Sequence, residues 1–470
     1  MNKILIILSF LIFIGCNHIS KHNKTEFPNI ILITVDDLGW RDLGIMGSQY
    51  YETPFIDNLA SQSMIFTNAY AGAANCAPSR ASLFSGLNTP KHGVYTVGSS
   101  ERGDSRTRKL IPVKNQKYLN DTIYTLPKML KSEGYITANF GKWHIGKNPK
   151  SQGIDYNIGG SKRGNPGRNG YFSPYNIDFI ENKHDGEYLT DRLTNEAISF
   201  IKKNKTSPFF INLSFYSVHT PLQGKENLIL KYEAKKGVNG QENSIYGSMV
   251  SSVDENIGKI LKAIDELKIT ENTLIIFTSD NGGIRAISNQ NPLRAGKGSY
   301  YEGGIRVPFF IKWPNKIISG INNKANVSHL DIYPTIQQII NPQIKAKLLD
   351  GVNLKNQFQE STKLERDIFY HFPIYLEAYN KAKDQGRDSL FRTRPGSVII
   401  SGKWKLHQYF EDNSLELYNL KEDIGESINL VTKEPEITQE LFRKLNNWRQ
   451  EQDAFIPSQE NPLFKYVFKD

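Results

Sequence analysis

The sequence predicts an α/β fold, in which a large mixed β-sheet is sandwiched by helices and a smaller α+β domain follows at the C-terminus. Three apolar runs rich in β-branched residues, at 29–35, 207–215 and 273–278, have the pattern of strands buried on both faces. Helical patterns separate these runs, and strands that alternate with helices are typical of a sheet covered by helices. A chain of 470 residues can bury such a core and still form more than one domain.

The first 15 residues have the features of an export signal. A charged start at 1–3 precedes an apolar run at 4–14, which is shorter than a membrane span. The run ends in Phe13-Ile14-Gly15-Cys16, which resembles a bacterial lipobox, so we expect cleavage before Cys16 and lipidation of its thiol. Phe13 replaces the usual Leu, which leaves ordinary secretion open. The polar residues 16–27 would then tether an exported bacterial lipoprotein, in the periplasm or at the outer membrane or cell surface.

The main domain is expected at 28–345. Apolar periodicity predicts helices at 121–133, 189–203 and 246–267, between the three strands. A polar stretch with little periodicity, between 341 and 365, predicts the end of this domain.

Residues 346–470 are expected to form a linker and the C-terminal α+β domain. Short strands are predicted at 396–404, 405–410 and 414–420, with turns at 401–402 and 411–413. An amphipathic helix at 436–448 closes the chain.

Polar residues follow each of the three predicted strands of the main domain. Asp36 and Asp37 follow the first, His219 comes soon after the second, and Asp280 and Asn281 follow the third. Sites in open α/β sheets lie at the carboxyl ends of strands, so these residues can converge. Carboxylate and amide oxygens are ligands that Ca²⁺ or Mg²⁺ prefers. Taken singly, each pair also suits a helix cap or a turn.

The charge balance favours an anionic partner. Lys and Arg number 58 against 48 Asp and Glu, a formal net charge of +10. We find no nucleic-acid-binding motif and expect no nucleic-acid partner, so the charge favours a polyanionic carbohydrate. A generally solvated basic surface explains it equally well. The chain has 2 cysteines, Cys16 and Cys76, and if one is lipidated no disulfide forms.

Cys76 begins the run Cys76-Ala77-Pro78-Ser79-Arg80, within a stretch of small residues. A lone cysteine in such a stretch is most often a small buried hydrophobe. The cysteine-dependent phosphatase loop is excluded, because it needs Arg six residues after the cysteine and Ser82 stands there. The run resembles the C/S-x-P-S-R signature of the type I sulfatases, of the alkaline phosphatase superfamily. In that family a maturation enzyme oxidises the cysteine to formylglycine (3-oxoalanine), whose hydrate supplies the attacking oxygen.

The resemblance extends from Asn29 to Pro334 and implies an alkaline-phosphatase-like sheet. It assigns one divalent cation, usually Ca²⁺, to Asp36, Asp37, Cys76, Asp280 and Asn281. The segment Gly141-Lys142-Trp143-His144-Ile145-Gly146 resembles the family's G-K-W-H-x-G segment. The catalytic residues that the resemblance implies are Cys76, Arg80, Lys142, His144, His219 and Lys297.

The implied reaction is hydrolysis of a sulfuric ester. Lys142 and Lys297 would contact sulfate oxygens, His219 would donate a proton to the leaving alcohol, and His144 would accept one from the hydrate. The expected substrate is a sulfated carbohydrate, with a sulfated galactan as the leading candidate. Candidate sugar contacts in polar or aromatic stretches are Arg285, His371, Tyr375, Arg392 and Arg394.

Two other functions stay open at this point. A phosphate or phosphonate monoester hydrolase of the same superfamily could use the same residues. A non-catalytic lipoprotein that binds sulfated glycans is a second alternative, although binding alone would require neither a nucleophile nor a proton donor.

Overall fold

The structure, a computed structural model, describes residues 27–343, 349–359 and 364–465. The export signal predicted at 1–15 and the tether up to residue 26, with Cys16, lie outside these residues. The boundary predicted between 345 and 346 lies outside them as well, so these domain limits stay predictions. Over the described part of the chain, no helix is both long enough and apolar enough to cross a bilayer.

Within the described residues, an eight-stranded sheet forms the centre of the main domain. Its strands are β1 (Asn29–Val35), β2 (Met64–Tyr70), β3 (Ile136–Gly141), β4 (Tyr156–Ile158), β5 (Phe209–Ser214), β6 (Thr273–Ser279), β7 (Phe309–Lys312) and β8 (Ile321–Ser328). The strand order is β4-β3-β5-β1-β6-β7-β2-β8, and β7 runs antiparallel to both neighbours while the other pairs are parallel. The mixed sheet predicted from the sequence is confirmed. The seven strands other than β7 run in the same direction, so their carboxyl ends lie at the same end of the sheet.

Helices cover both faces of this sheet. They are α1 (Pro54–Ser61), α2 (Cys76–Ser85), α3 (Thr89–His92), α4 (Leu126–Ser132), α5 (Leu189–Asn204), α6 (Glu226–Glu233), α7 (Ser244–Glu266), α8 (Glu302–Ile305) and α9 (Ile332–Ile340). In β1, Ile31 and Ile33 pack in the cluster that contains α5 and α7. Ile30 and Leu32 point the other way, into the cluster with α4 and α9. The continuous apolar sequence of β1 follows from this burial on both faces.

Helix α4 is shorter than the helix predicted at 121–133. It begins at Leu126, after the Thr125 hydroxyl caps the backbone N–H of Lys128, and Pro127 lies in its first turn. Proline suits the first turn of a helix, and the cap at Thr125 sets where the helix begins, so residues 121–125 stay outside.

The C-terminal domain contains a four-stranded antiparallel sheet. Its strands, in the order β14-β13-β12-β9, are β9 (Asp367–Phe372), β12 (Gly396–Ser401), β13 (Trp404–Tyr409) and β14 (Leu415–Asn419). A short pair, β10 (Leu376–Glu377) and β11 (Phe391–Thr393), lies beside it. The first hairpin turns at 402–403, one residue later than predicted, because Gly402 takes a positive φ of 56°.

The two faces of the C-terminal sheet pack against different partners. One face packs on α10 (Pro435–Glu451), with Leu406 and Leu417 against Leu441 and Leu445. The other face packs on segments of the main domain near α8. The smaller domain therefore packs on segments of the main domain that lie between β2 and β7 in the chain.

Candidate active site

The predicted polar residues meet at the carboxyl ends of the parallel strands. Asp36 follows β1, His219 follows β5, and Asp280 follows β6. Two strands that the sequence patterns did not reveal add Lys142 directly after β3 and Cys76 shortly after β2. Residues far apart in sequence are thus collected by the parallel topology.

Cys76 is the first residue of α2 and is buried, with 3% of its surface exposed. All ten residues of this helix are buried. Burial raises the pKa of the Cys76 thiol, although Lys142 and Lys297 lower it. The thiol therefore keeps its proton at neutral pH and is a poor nucleophile as it stands.

Three buried ion pairs surround Cys76. They join Nζ of Lys142 to Oδ2 of Asp36 at 2.6 Å, Nζ of Lys297 to Oδ2 of Asp37 at 2.7 Å, and Nε of Arg80 to Oδ2 of Asp280 at 2.8 Å. Burial works against the charge of Asp37, but Lys297 and His219 hold its pKa well below the usual range. Ion pairs with so little solvent are weak contributors to stability, so their presence together indicates a functional site.

The carboxylate side of the site fits a divalent cation. Oδ1 of Asp36 and Oδ1 of Asn281 are buried without a hydrogen-bond partner. Ligand atoms of Asp36, Cys76 and Asp280 lie within 4.8 Å of one another. Nδ2 of Asn281 donates to Oδ1 of Asp37 at 2.8 Å, and the backbone N–H of Asp37 donates to Oδ1 of Asp280 at 3.2 Å, which brings the other two predicted ligands into the same group. Buried oxygens without donors are costly, and a hard cation such as Ca²⁺ satisfies oxygens of this kind.

Both predicted histidines are neutral at pH 7. Nδ1 of His219 donates to the carbonyl of Thr220 at 2.6 Å, so Nε2 is the acceptor nitrogen, and it lies 3.7 Å from Oδ2 of Asp37. Burial and the charge of Lys297 lower the pKa of His219 to about 4, although Asp37 raises it. Burial and the nearby cations also lower the pKa of His144 well below its usual value, and its Nδ1 is buried without a partner.

Three residues of the site have left-handed backbone conformations. Asp37, His144 and Ala295 have φ angles of 58°, 68° and 59°. Such conformations are uncommon for residues other than glycine and tend to occur at functional sites. Here they orient side chains directly after β1 and β3 and shortly before Lys297.

The sequence patterns missed His329, which positions the Cys76 helix. Its Nδ1 lies 3.2 Å from Oγ of Ser79, and its Nε2 lies 3.0 Å from Oγ1 of Thr278 at the end of β6. His329 thereby joins α2 to the strand that carries Asp280. It follows β8, whose polar sequence gave no strand pattern, so its place at the site edge could not be inferred.

The five candidate sugar contacts are placed differently. His371 is buried, and its ring nitrogens lie 2.9 Å from Oγ of Ser397 and from the carbonyl of Phe455. The hydroxyl of Tyr375 donates to Glu411 at 2.6 Å, and Arg394 forms an ion pair with Glu411 at 2.8 Å. These three polar groups are engaged within the protein, so we do not retain them as sugar contacts.

Arg285 and Arg392 lie closer to the site. Arg285 is partly buried and donates to the carbonyl of Leu293 and to Oδ1 of Asn291. Arg392 donates to the backbone carbonyl of Lys297 at 2.8 Å, which connects the C-terminal domain to the site.

Comparison with known protein families identifies the family of this chain. The family model described as Sulfatase matches residues 28–341, well over half of the chain. The chain belongs to the sulfatase family. A second model, described as the C-terminal region of N-sulphoglucosamine sulphohydrolase, matches residues 296–451. The resemblance that the motifs carried is confirmed, and as a sulfatase the protein is a sulfuric ester hydrolase.

Relatives of this sulfatase are similar along nearly the whole chain. A sulfatase of Formosa agariphila is 33% identical, over 91% of this chain and 89% of its own. An N-acetylgalactosamine-6-O-sulfatase of Bacteroides thetaiotaomicron is 27% identical, over 92% and 96%. The crystal structure of Ps i-CgsB in complex with k-i-k-neocarrahexaose has a TM-score of 0.73 at 28% identity, over 92% and 95%. The fold of this sulfatase is therefore that of its relatives.

Proposed function

We propose that this sulfatase removes sulfate from galacto-configured units of a sulfated polysaccharide or its fragments, with a sulfated galactan as the leading substrate. The carrying observation is that four polar atoms buried at one site have no partner: Oδ1 of Asp36, Nη2 of Arg80, Nδ1 of His144 and Oδ1 of Asn281. The oxygens suit a cation, and the nitrogens suit an anionic ester and a mobile proton. The name of the Bacteroides relative supports a galacto-configured sugar.

The cation and the modified cysteine complete the proposed site. Asp36, Asp37, Asp280 and Asn281 would hold one Ca²⁺ together with the side chain at position 76, and when bound the cation would stabilise negative charge on oxygen. A maturation enzyme would oxidise Cys76 to formylglycine, whose hydrate would supply the attacking oxygen. The raised pKa of the thiol supports this proposal, because the unmodified side chain is protonated.

The charges of the pocket suit a sulfate ester. Arg80, Lys142 and Lys297 balance Asp36, Asp37 and Asp280, so one divalent cation leaves a net charge of about +2. Fixed cations stabilise the charge that spreads over sulfate oxygens in the transition state. Arg80, Lys142 and Lys297 therefore bind and orient the sulfate group.

The two histidines move the protons. His219 is neutral in the substrate-free protein, and the negative charge of a bound ester would raise its pKa. We infer that His219 takes up a proton with the substrate and delivers it from Nε2 to the leaving sugar oxygen. Nδ1 of His144, which is buried without a partner, would accept a proton from the modified side chain at position 76.

The proposal extends to the compartment. Cleavage before Cys16 and lipidation of its thiol would attach the enzyme to a membrane outside the cytoplasm, through the lipid alone. Polysaccharides too large to enter a cell are accessible to an enzyme held there.

The test is to mature the full chain with a formylglycine-generating enzyme and to measure both chemistry and activity. We expect an aldehyde mass in the peptide that contains Cys76, and hydrolysis of a sulfate ester in preference to the phosphate ester of the same alcohol. Cys76→Ala is the inactive control. A clear preference for phosphate, or full activity with an unmodified thiol, would falsify the proposal.

A further inference from the structure

One exposed aromatic side chain lies beside the proposed sulfate-binding lysine. Tyr379 follows β10 in the C-terminal domain, and 49% of its surface is exposed. Large apolar side chains that stay exposed next to a polar site frequently contact ligands. Several other aromatic side chains are equally exposed, so exposure alone does not distinguish Tyr379.

The ring of Tyr379 is held in place from one side. The guanidinium carbon of Arg392 lies 3.4 Å from the ring centroid, and 3% of Arg392 is exposed. Backbone N–H groups of Tyr379 and Asn380 both donate to Oδ2 of Asp384, which fixes the loop. A cation over an aromatic face is an attractive contact, so one face of the ring is occupied.

Arg392 connects this ring to the catalytic residues. Its Nη1 donates to the carbonyl of Lys297 at 2.8 Å, and its Nε donates to the carbonyl of Glu377 at 2.9 Å. The backbone N–H of Gly298 donates to the carbonyl of Ala74, two residues before Cys76. Tyr379 therefore has a fixed position relative to Lys297.

The close approach of Arg392 depends on Gly298. A Cβ atom at Gly298 would lie 2.5 Å from Nη1 of Arg392, and the φ angle of Gly298 is +87°. Only glycine fits this backbone without moving the guanidinium. Gly298 therefore leaves the space in which Arg392 can contact the ring of Tyr379.

We propose, resting on the proposed function, that Tyr379 is a sugar-stacking residue that determines specificity, and that Arg392 holds its ring beside Lys297. A galacto-configured pyranose has its C3, C4 and C5 hydrogens on one face, and this apolar face matches an aromatic ring. A ring that is already fixed loses little freedom when the sugar binds, so the contact is efficient.

The experiment uses the matured full chain and three variants. Tyr379→Ala removes the ring, Tyr379→Phe keeps the ring without its hydroxyl, and Tyr156→Ala is the matched control. Tyr156 is 46% exposed and is the first residue of β4, the outermost strand, so it lies at the amino end of that strand and not at the carboxyl end where the site is. The substrates are sulfated galactan oligosaccharides and 4-nitrophenyl sulfate, and thermal unfolding checks the fold of each variant.

We expect Tyr379→Ala to lower kcat/KM for the oligosaccharides by about 10- to 100-fold, the range of one well-defined apolar contact. Tyr379→Phe should stay within about threefold, and kcat for 4-nitrophenyl sulfate should not change, because the chemical groups are intact. Activity of Tyr379→Ala equal to that of Tyr156→Ala would overturn the proposal. An equal loss of kcat on both substrates would overturn it too, since the ring would then act through Lys297. If the matured wild type hydrolysed no sulfate ester, the proposed function itself would fail.

Discussion

At the scale of single residues, the role proposed for His219 has the most distinctive kinetic consequence. Its Nδ1–H is committed to the carbonyl of Thr220, so Nε2 alone is available for proton transfer. A general acid matters most when the leaving oxygen is a poor leaving group, as in a sugar, and least when it is a nitrophenolate.

His219→Ala should therefore lower kcat for a sugar sulfate by about 10²- to 10⁴-fold and for 4-nitrophenyl sulfate much less. The measurement is kcat for both substrates in wild type and variant. His144→Ala is the matched control, because a group that accepts a proton from position 76 should affect both substrates alike. Equal losses in His219→Ala would assign His219 a role other than proton donation.

The sequence could predict which residues meet at the site because each motif keeps its polar side chains within a few positions. Cys76 and Arg80 share one turn of a helix and were identified together. The role of Arg392 could not be predicted, because its partner Lys297 lies 95 residues earlier and their contact is made only by domain packing.

At the scale of elements, the predictability of a strand depended on its place in the sheet. The central strands β1, β5 and β6 are buried on both faces, and their sequences are correspondingly apolar. Edge strand β8 includes Asn322, Asn323 and Lys324, and its pairing with β2 is interrupted by a register shift. Its sequence therefore lacks the pattern from which strands are predicted.

The junction of β3 with the Lys142 segment gives a test at this scale. Gly141 has a φ of +98°, and a Cβ there would lie 2.0 Å from the carbonyl oxygen of Ser214. Gly134 also has a positive φ, +87°, but has no atom within 4 Å of its Cβ position. Both alanine variants share the backbone strain, so the difference between them isolates the collision.

Gly141→Ala should be less stable than Gly134→Ala by about 1–3 kcal/mol, the usual cost of overpacking a buried position. It should also lose activity, since Lys142 must move with the displaced strand end. Urea unfolding and sulfatase assays of both variants check this. Equal stability of the two alanine variants would show that the end of β3 shifts to accept the added methyl group without a loss of free energy of unfolding.

At the scale of the whole molecule, binding of the proposed cation should contribute to stability, because its proposed ligands lie just after β1, just after β6 and at the start of α2. A cation present at 100 times its Kd adds about 2.7 kcal/mol to the free energy of unfolding. We expect EGTA to lower the Tm of the matured enzyme and Ca²⁺ to restore it. An unchanged Tm on chelation would exclude a structural contribution from bound Ca²⁺.

A buried charge cluster at the domain interface should make stability depend on pH. Nζ of Lys405 lies 2.9 Å from both Glu302 and Glu426, and all three are fully buried. Burial, with the charge of Glu302, raises the pKa of Glu426 from 4.5 to about 7, although Lys405 lowers it. The folded protein therefore keeps a proton that the unfolded chain has released above pH 4.5.

Between pH 4.5 and 7 this group makes the free energy of unfolding fall as the pH rises. Its stabilisation is complete below pH 4.5 and is lost as the pH passes 7. Glu426→Gln should remove a slope of at most about 1.4 kcal/mol per pH unit. The free energy of unfolding of the wild type and of Glu426→Gln is measured by denaturation from pH 5 to 7.5. The contributions of other titratable groups cancel in the difference between the two proteins. Parallel profiles would contradict the prediction.

The burial of Cys76 determines when its proposed modification can occur relative to folding. With its thiol 3% exposed and its whole helix enclosed, the folded protein offers no access to a second protein that would modify it. The proposed oxidation of Cys76 by a maturation enzyme would therefore have to precede folding. If the chain is exported as proposed, it would have to stay unfolded until Cys76 is modified, and a chain that folds before modification would remain inactive.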